Sequence, residues 1–259
     1  MQFGFCTGFA TNPLFSLDLG LVRRILQAGY DYPDFPLTGL WSADERQLSE
    51  LFALLEGRKC VTACNFFPKS VRLIGSEMKP ERIKAYLEDV LPILGRLGCD
   101  SIVLGSAGAR NIPSGMEKAQ ADEAFACVLD RYVLPACAGK VTVLLEPLNH
   151  AECNYLNTLK EGMAFVRALD NPSFLLMADL YHMCENGEDV DDLRSALPLI
   201  HHVHLAEKGR RLPERAFSDY LEKGIGILKK SGYQGTISYE TNDGELSAAL
   251  ALLSATWQA

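Results

Sequence analysis

FLLMADLYHM, residues 174–183, is the stretch on which the reading of the fold turns. Its first five residues are apolar, as in a strand covered on both faces, a habit of parallel sheets flanked by helices. The run then ends in Asp179, with His182 three residues on. An acid at the end of such a strand is costly unless something offsets its charge. Where the strand lies, and what Asp179 faces, can be read from the residues around it.

Outward from this segment, short apolar runs alternate with amphipathic patterns along the chain. Strands are expected near 2–6, 30–35, 60–66, 100–105, 141–146, 174–179, 200–205 and 235–240. Helices are expected near 17–28, 43–57, 80–97, 116–138, 159–169, 190–198, 216–231 and 244–255. In the helix near 80–97, Ile83, Tyr86, Leu87, Val90, Leu91, Leu94 and Leu97 share one face, and Pro92 is expected to kink it. Ser42 with Glu45, and Thr158 with Glu161, read as capping boxes. AGYD, LGCD, AGKV and SGYQ each place Gly where a helix closes and a strand opens. Eight strand–helix units predict an α/β fold, a (β/α)8 TIM barrel spanning residues 1–259 as one domain. A doubly wound open sheet shows the same alternation and is the alternative.

With 48% hydrophobic and 22% charged residues, the chain has ample material for a core, and no low-complexity linker interrupts it. Its net charge of −8 argues against a sequence-independent grip on nucleic acid. The eight cysteines, Cys6, Cys60, Cys64, Cys99, Cys127, Cys137, Cys153 and Cys184, form no C-x-x-C pair and are expected to be reduced, mostly buried thiols. MQFGFCTGF lacks the pattern of a signal peptide, and no apolar run reaches membrane-spanning length. A cytoplasmic protein with neither nucleic-acid nor membrane partners is expected.

In a barrel, chemistry collects at the C-terminal ends of the strands. The last four strands read VTVLLEPLN, FLLMADLYHM, HHVHLAE and TISYET. Period-two alternation puts Thr142, Leu144 and Glu146 on one face, Leu175, Met177 and Asp179 on one face, His202 with His204, and Thr236, Ser238 and Glu240 together. If those faces point inward, Glu146, Asp179, His204 and Glu240 converge, and three carboxylates so close require a cation between them. A divalent metal is therefore expected, Mn²⁺ first, with Mg²⁺, Co²⁺ or Zn²⁺ as alternatives, because oxygen donors with one imidazole suit an open octahedral ion. His204 is preferred over His202 as ligand because it lies nearer the strand end. Taken singly, each residue has a plainer reading: a cap for Asp179, a loop residue for His182, a core histidine for His204, ion pairs for the glutamates.

The motifs EPLNHAE, DLYHM, HVHLAEKGR and ISYE resemble the xylose isomerase-like barrel family of sugar and sugar-phosphate isomerases and epimerases, most of all its D-tagatose/D-psicose 3-epimerase branch. The resemblance implies one metal ion held by Glu146, Asp179, His204 and Glu240. It implies Glu152, His182 and Arg210 as substrate-binding residues, a sugar or sugar phosphate as substrate, and a dimer or tetramer as the family habit. It further implies an isomerase or epimerase acting through an enediolate, with Glu146 and Glu240 as catalytic acid and base on opposite faces of the substrate.

The chain departs from the branch at three places. GYDYPDF has Asp34 where many relatives carry Glu, and the loop RLPERAF lacks a Pro-Gly-x-Gly stretch; both changes are expected at the substrate rim. NFFPKS and GSAGARNIPSG replace an aromatic pocket. Gly105 and Gly108 allow a backbone nest and Arg110 adds a guanidinium, so an anion is a candidate ligand there, with an exposed turn as the plainer reading. An endonuclease IV-like repair site would draw several histidines from early strands, whereas all five here follow residue 149. A lyase of the inosose dehydratase type and a non-catalytic metal-containing barrel remain as alternatives.

Overall fold

The computed structural model describes residues 1–8, 16–242 and 244–259. Eight strands, β1 (Gln2–Cys6), β2 (Tyr32–Pro36), β3 (Thr62–Cys64), β4 (Ser101–Leu104), β5 (Thr142–Leu145), β6 (Phe174–Asp179), β7 (Ile200–Leu205) and β8 (Thr236–Tyr239), pair in chain order. All pairings are parallel, and β8 closes on β1. The closed barrel, not the open sheet, is therefore the architecture. Among the described residues no helix is long and apolar enough to cross a membrane.

Alternation sorts the strand side chains into two populations. Phe5, Ala63, Ile102, Val143, Leu145, Leu176, Val203 and Ile237 face outward into the layer shared with the helices. Cys6, Cys64, Val103, Leu144 and Met177 form a separate cluster inside the barrel. The interior is thus split. The wall from β3 to β6 is mostly apolar, with Thr62 and the strand-end Asp179 as its buried polar members, while β2, β7 and β8 send in Tyr32, Asp34, His202, His204 and Ser238, all fully buried. Barrels usually fill this space with branched apolar side chains, so the polar half already marks the site.

The helices follow local signals. Helix α1 (Leu19–Ala28) is capped by Asp18, and the four glycines expected to close helices, Gly29, Gly98, Gly139 and Gly232, all adopt positive φ. Helix α2 (Leu37–Trp41) was not expected, and it displaces one capping box. Ser42 ends that helix and bonds Thr38 O at 2.9 Å. Asp44 with Gln47 forms the box that opens α3 (Glu45–Leu55), since a carboxylate is the stronger cap for free N–H groups. Helix α4 (Pro80–Leu97) runs through Pro92 with the seven expected apolar residues buried. Short α5 (Ala107–Arg110) follows β4.

The long helix expected at 116–138 is α6 (Lys118–Val128), a π-helical turn at Leu129–Val133 and α7 (Leu134–Cys137). The π turn ends two residues before Pro135, whose missing N–H cannot continue the α ladder. Thr158 and Glu161 form the expected box opening α8 (Leu159–Leu169). Short α9 (Leu180–Glu185) continues directly from β6, and the helix expected at 190–198 is broken into 3₁₀ turns around α10 (Leu193–Ala196). Helices α11 (Asp219–Lys230) and α12 (Leu246–Gln258) complete the ring.

One glycine is needed for the polar half to assemble. Tyr32 on β2 reaches across β1 to Ser238 on β8, with oxygens 3.1 Å apart. It passes over Gly4, where a Cβ would sit 2.4 Å from Tyr32 Cε2 and 2.6 Å from Ser238 Oγ. Gly4→Ala should cost about 1–3 kcal/mol through overpacking, read as a lower midpoint in urea unfolding followed by circular dichroism. An unchanged midpoint would show that the tyrosine does not need this path.

Candidate functional site

The four strand-end residues come together. Glu146 follows β5, Asp179 ends β6, His204 lies in β7 and Glu240 follows β8; none is more than 5% exposed. His204 Nδ1 lies 3.7 Å from Glu146 Oε1 and 3.5 Å from Glu240 Oε1. Among the described residues, Glu146 Oε1, Asp179 Oδ2 and His204 Nδ1 have no hydrogen-bond partner. Buried polar atoms without partners are rare, and several aimed at one point suit an ion. A cluster of Glu146, Asp179, His182 and Glu240 also has ligand atoms within 4.8 Å of one another, so either histidine could complete a metal site.

Hydrogen bonding separates the two histidines. The main-chain N–H of Asn149 donates to His182 Nδ1 at 3.1 Å, so that nitrogen is taken. The other, Nε2, lies 3.5 Å from Asp179 Oδ2 and 3.1 Å from the donor Arg210 Nη2, so its edge is already engaged by the guanidinium. Burial holds the His182 pKa below its ordinary value. His204 is turned the other way, with Nε2 facing Asp34 Oδ2 at 3.4 Å and Nδ1 facing the carboxylates. Its lone pair can serve a cation at Nδ1 while Asp34 holds the opposite edge, as second-shell carboxylates do.

The sequence placed Asp34 at the rim, and the structure corrects this. Asp34 shares the inward parity of Tyr32 within β2 and is completely buried. Its Oδ2 accepts from Ser238 Oγ at 3.0 Å and lies 3.3 Å from His202 Nε2. Burial alone would raise its pKa; His202 and His204 pull it down to about 2. Alternation in YDYPDF contained this signal. His202, whose Nδ1 is 2.7 Å from Thr236 Oγ1, is a core histidine of the same network.

Charge at the mouth is unevenly shared. Burial, then Glu240, raises Asp179 to about 6, and burial raises Glu146 too. For Glu240 burial is overcome by Arg210 and then His204, so its carboxyl stays well below the usual range. For His204, burial is overcome by Glu240, Asp34 and Glu146, and its pKa lies well above the ordinary value. Asp179 also caps α9, its Oδ1 accepting from Tyr181 N at 2.7 Å, so the cap and the inward oxygen belong to one residue. Arg210 Nη1 is paired with Glu240 Oε2, and Nη2 reaches Glu152 Oε1 at 3.1 Å and His182 Nε2 at 3.1 Å.

Above these groups opens a cavity of about 680 Å³ whose lining includes Glu146, Glu152, His182, Arg210 and Glu240. Asn65, Phe67, Pro68, Lys69 and Ser70 of NFFPKS, and Ser106, Ala107 and Gly108 of GSAGAR, form its far wall, joined by Trp41 at 39% exposure. Two aromatic residues, Trp41 and Phe67, therefore line a pocket expected to lack them. Residues 211–217 are absent from the lining, so the RLPERAF loop does not form this wall.

Arg110 is placed otherwise than expected. It is completely buried, donating Nε to Gly105 O at 2.6 Å, Nη2 to Glu146 O at 2.8 Å and Nη1 to Tyr155 O. Its guanidinium braces the main chain beneath Glu146 and is not offered to an anion. Gly105 serves the same contact, since a Cβ there would lie 2.1 Å from Glu146 Oε2.

The site generates two expectations. Arg110→Ala removes the guanidinium from the carbonyls of Gly105 and Glu146 and leaves Tyr155 O only the Cys153 thiol; it should cost about 3–5 kcal/mol in urea unfolding, with Arg110→Lys partly restoring it. Retention of full stability by Arg110→Ala would refute the brace. Asp179 binds its proton more tightly folded than unfolded, so between its ordinary 3.8 and about 6 the metal-free protein loses stability as pH rises. A cation favours the ionised form, so the Mn²⁺-induced rise in Tm should grow from about pH 5 to about pH 7. A pH-independent rise would place the ion elsewhere.

Residues 22–257 match the xylose isomerase-like TIM barrel family. A D-psicose 3-epimerase of Agrobacterium fabrum is 34% identical over 101 residues, 39% of this chain and 35% of that protein. The 3-dehydro-D-guloside 4-epimerase of Escherichia coli is 28% identical over 230 residues, 84% of each chain. The structure of D-psicose 3-epimerase with D-tagatose from Clostridium cellulolyticum H10 superposes with a TM-score of 0.78 at 22% identity, covering 97% of this chain and 90% of that one. This last likeness speaks for the fold.

Proposed function

The chain belongs to the xylose isomerase-like TIM barrel family, and within it we propose a divalent-metal-dependent epimerase for a sugar carrying a ketone beside the carbon it inverts. The observation that carries this reading is the set of buried, unpartnered atoms Glu146 Oε1, Asp179 Oδ2 and His204 Nδ1, with Glu240 Oε1 3.5 Å from the last. These four residues are the proposed ligands and Mn²⁺ the first candidate, with Mg²⁺, Co²⁺ and Zn²⁺ as alternatives. When bound, such an ion supplies Lewis-acid charge that offsets the developing enediolate.

The protein groups divide the remaining work. Glu146 and Glu240 follow β5 and β8, well separated around the barrel, so each can address a different face of a sugar lying between them. Burial raises the Glu146 pKa, which makes it the stronger proton acceptor, whereas Arg210 keeps Glu240 ionised. Arg210 Nη2, 3.1 Å from His182 Nε2, can donate to a substrate oxygen, with the imidazole beside it. Glu152, 38% exposed at its side chain, can accept from a hydroxyl. Trp41 offers an apolar face to the ring carbons.

D-psicose 3-epimerase and 3-dehydro-D-guloside 4-epimerase, by their names, both invert a carbon beside a ketone. That shared need, proton removal next to a carbonyl, is what the two glutamates suit. With Arg110 committed to main-chain carbonyls, unphosphorylated sugars are the expected substrates. Free ketoses, their phosphates and 3-dehydro-glycosides, incubated with Mn²⁺ and analysed by product, test the reading. Loss of water instead of inversion would make the protein a lyase, and no turnover across the panel would sink the proposal.

The two-face arrangement has its own test in deuterated water. With metal occupancy matched, Glu146→Gln should abolish net epimerisation yet leave slow exchange from one epimer, and Glu240→Gln should leave it from the other. Near-normal turnover in either variant would reduce that glutamate to a ligand.

A further inference from the structure

Beside the proposed ligands, the cavity floor holds two thiols. Cys6 ends β1 and Cys64 ends β3; their Sγ atoms are 3.2 Å apart, and Cys6 Sγ is 4.0 Å from Glu240 Oε1. Both are no more than 2% exposed, yet both line the same cavity as Glu240, so an ion entering at the mouth reaches them. The three ligand atoms lie within 4.8 Å of one another.

The backbone argues against a disulfide. Cys6 is paired with Asp34 and Cys64 with Pro36, so β2 lies between them. Neighbouring strands are about 4.8 Å apart, which keeps these Cα atoms roughly 8–9 Å apart, close to the full reach of two side chains whose sulfurs nearly touch and beyond the ~7 Å a disulfide spans. A bridging ion has no such difficulty. At a Zn–S distance of about 2.3 Å, two sulfurs of a tetrahedral site are roughly 3.7 Å apart, a half-ångström adjustment from the separation seen. Paired thiolates also select softer ions than carboxylates and one imidazole do.

We propose that Cys6, Cys64 and Glu240 form a second cation site, specific for a thiophilic divalent ion such as Zn²⁺ or Cd²⁺. Binding releases the two thiol protons to solvent and draws Glu240 Oε1 toward the sulfurs. Because Glu240 is also a proposed ligand of the catalytic ion, occupancy of the thiol site expels Mn²⁺. Only this competition rests on the function proposed above; the thiolate site stands without it.

Cadmium is the probe, added to the full chain with the exposed Cys127 and Cys184 replaced by Ser. The expected result is sulfur-to-cadmium charge-transfer absorption in the ultraviolet, saturating at one ion per chain, with release of Mn²⁺ followed by electron paramagnetic resonance. Cys64→Ser and Cys64→Ala should each abolish the absorption and weaken Cd²⁺ binding by more than the about 10–100-fold that loss of an outer-shell partner costs, while both still take up Mn²⁺. Cd²⁺ binding without the absorption, or absorption that survives in a folded Cys64 variant, overturns the site. If neither variant folds, the parent titration decides alone. Thiolate absorption in a protein that never binds Mn²⁺ would uphold this site and defeat the catalytic reading.

Discussion

Three carboxylates buried within a few ångströms of one another repel, and the rest of the site is arranged around that repulsion. Arg210 and His204 are the cations that offset it: the guanidinium pairs with Glu240 and lies 4.0 Å from Asp179 Oδ2, and the imidazole faces Glu146 and Glu240. Even so, Glu146 Oε1 and Asp179 Oδ2 have no hydrogen-bond partner among the described residues. Holding Arg210 in place requires an uncommon backbone. Its φ is 53°, in the left-handed region, a cost of about 1–2 kcal/mol for a side chain with a Cβ. Its carbonyl accepts from Asn242 N at 2.8 Å, and its guanidinium lies 4.4 Å over the Tyr181 ring, so the strained residue is tied at both ends.

Beneath the carboxylates, order is passed inward through hydrogen bonds. Tyr32 donates to Ser238, Ser238 donates to Asp34, and Asp34 faces the far nitrogen of His204. The imidazole is thereby oriented from β2 and β8 although it belongs to β7. On the opposite side Arg110 fastens the loop after β4 to the main chain of Glu146. Two rigid supports, one ending on the imidazole and one under a glutamate, hold the inward atoms in register, which is what a site needs if it is to act on a substrate without rearranging.

Membership of the xylose isomerase-like barrels leaves room for variation in the wall. The wall here is built from Trp41, the NFFPKS segment and residues 106–108, all from the first half of the chain. The carboxylates and histidine proposed as metal ligands come from the second half. On the proposed reading chemistry and selectivity divide between the two halves, as expected where strand ends hold the reacting groups and loops shape the opening.

Much of this is written in local order. The period-two pattern of VTVLLEP, FLLMAD, HHVHLAE and TISYET is sufficient to put Glu146, Asp179, His204 and Glu240 on inward faces, because adjacent Cβ atoms on a strand point to opposite sides. The strand count and the glycine-marked helix ends point to a barrel for the same local reason. What local order does not contain is which inward group meets which. Arg110 reads as a surface guanidinium until the fold carries Tyr155 and Glu146 to it, and Asp34 reads as a rim residue until closure of β8 on β1 brings Ser238 within 3.0 Å. Ser42 loses its capping role to Asp44 because α2 claims it first. Residue type and parity are properties of neighbours along the chain. The partner of a buried charge is a property of the closed barrel, since residues as far apart as Asp34 and His204 meet only there, and desolvation then decides how strongly they interact.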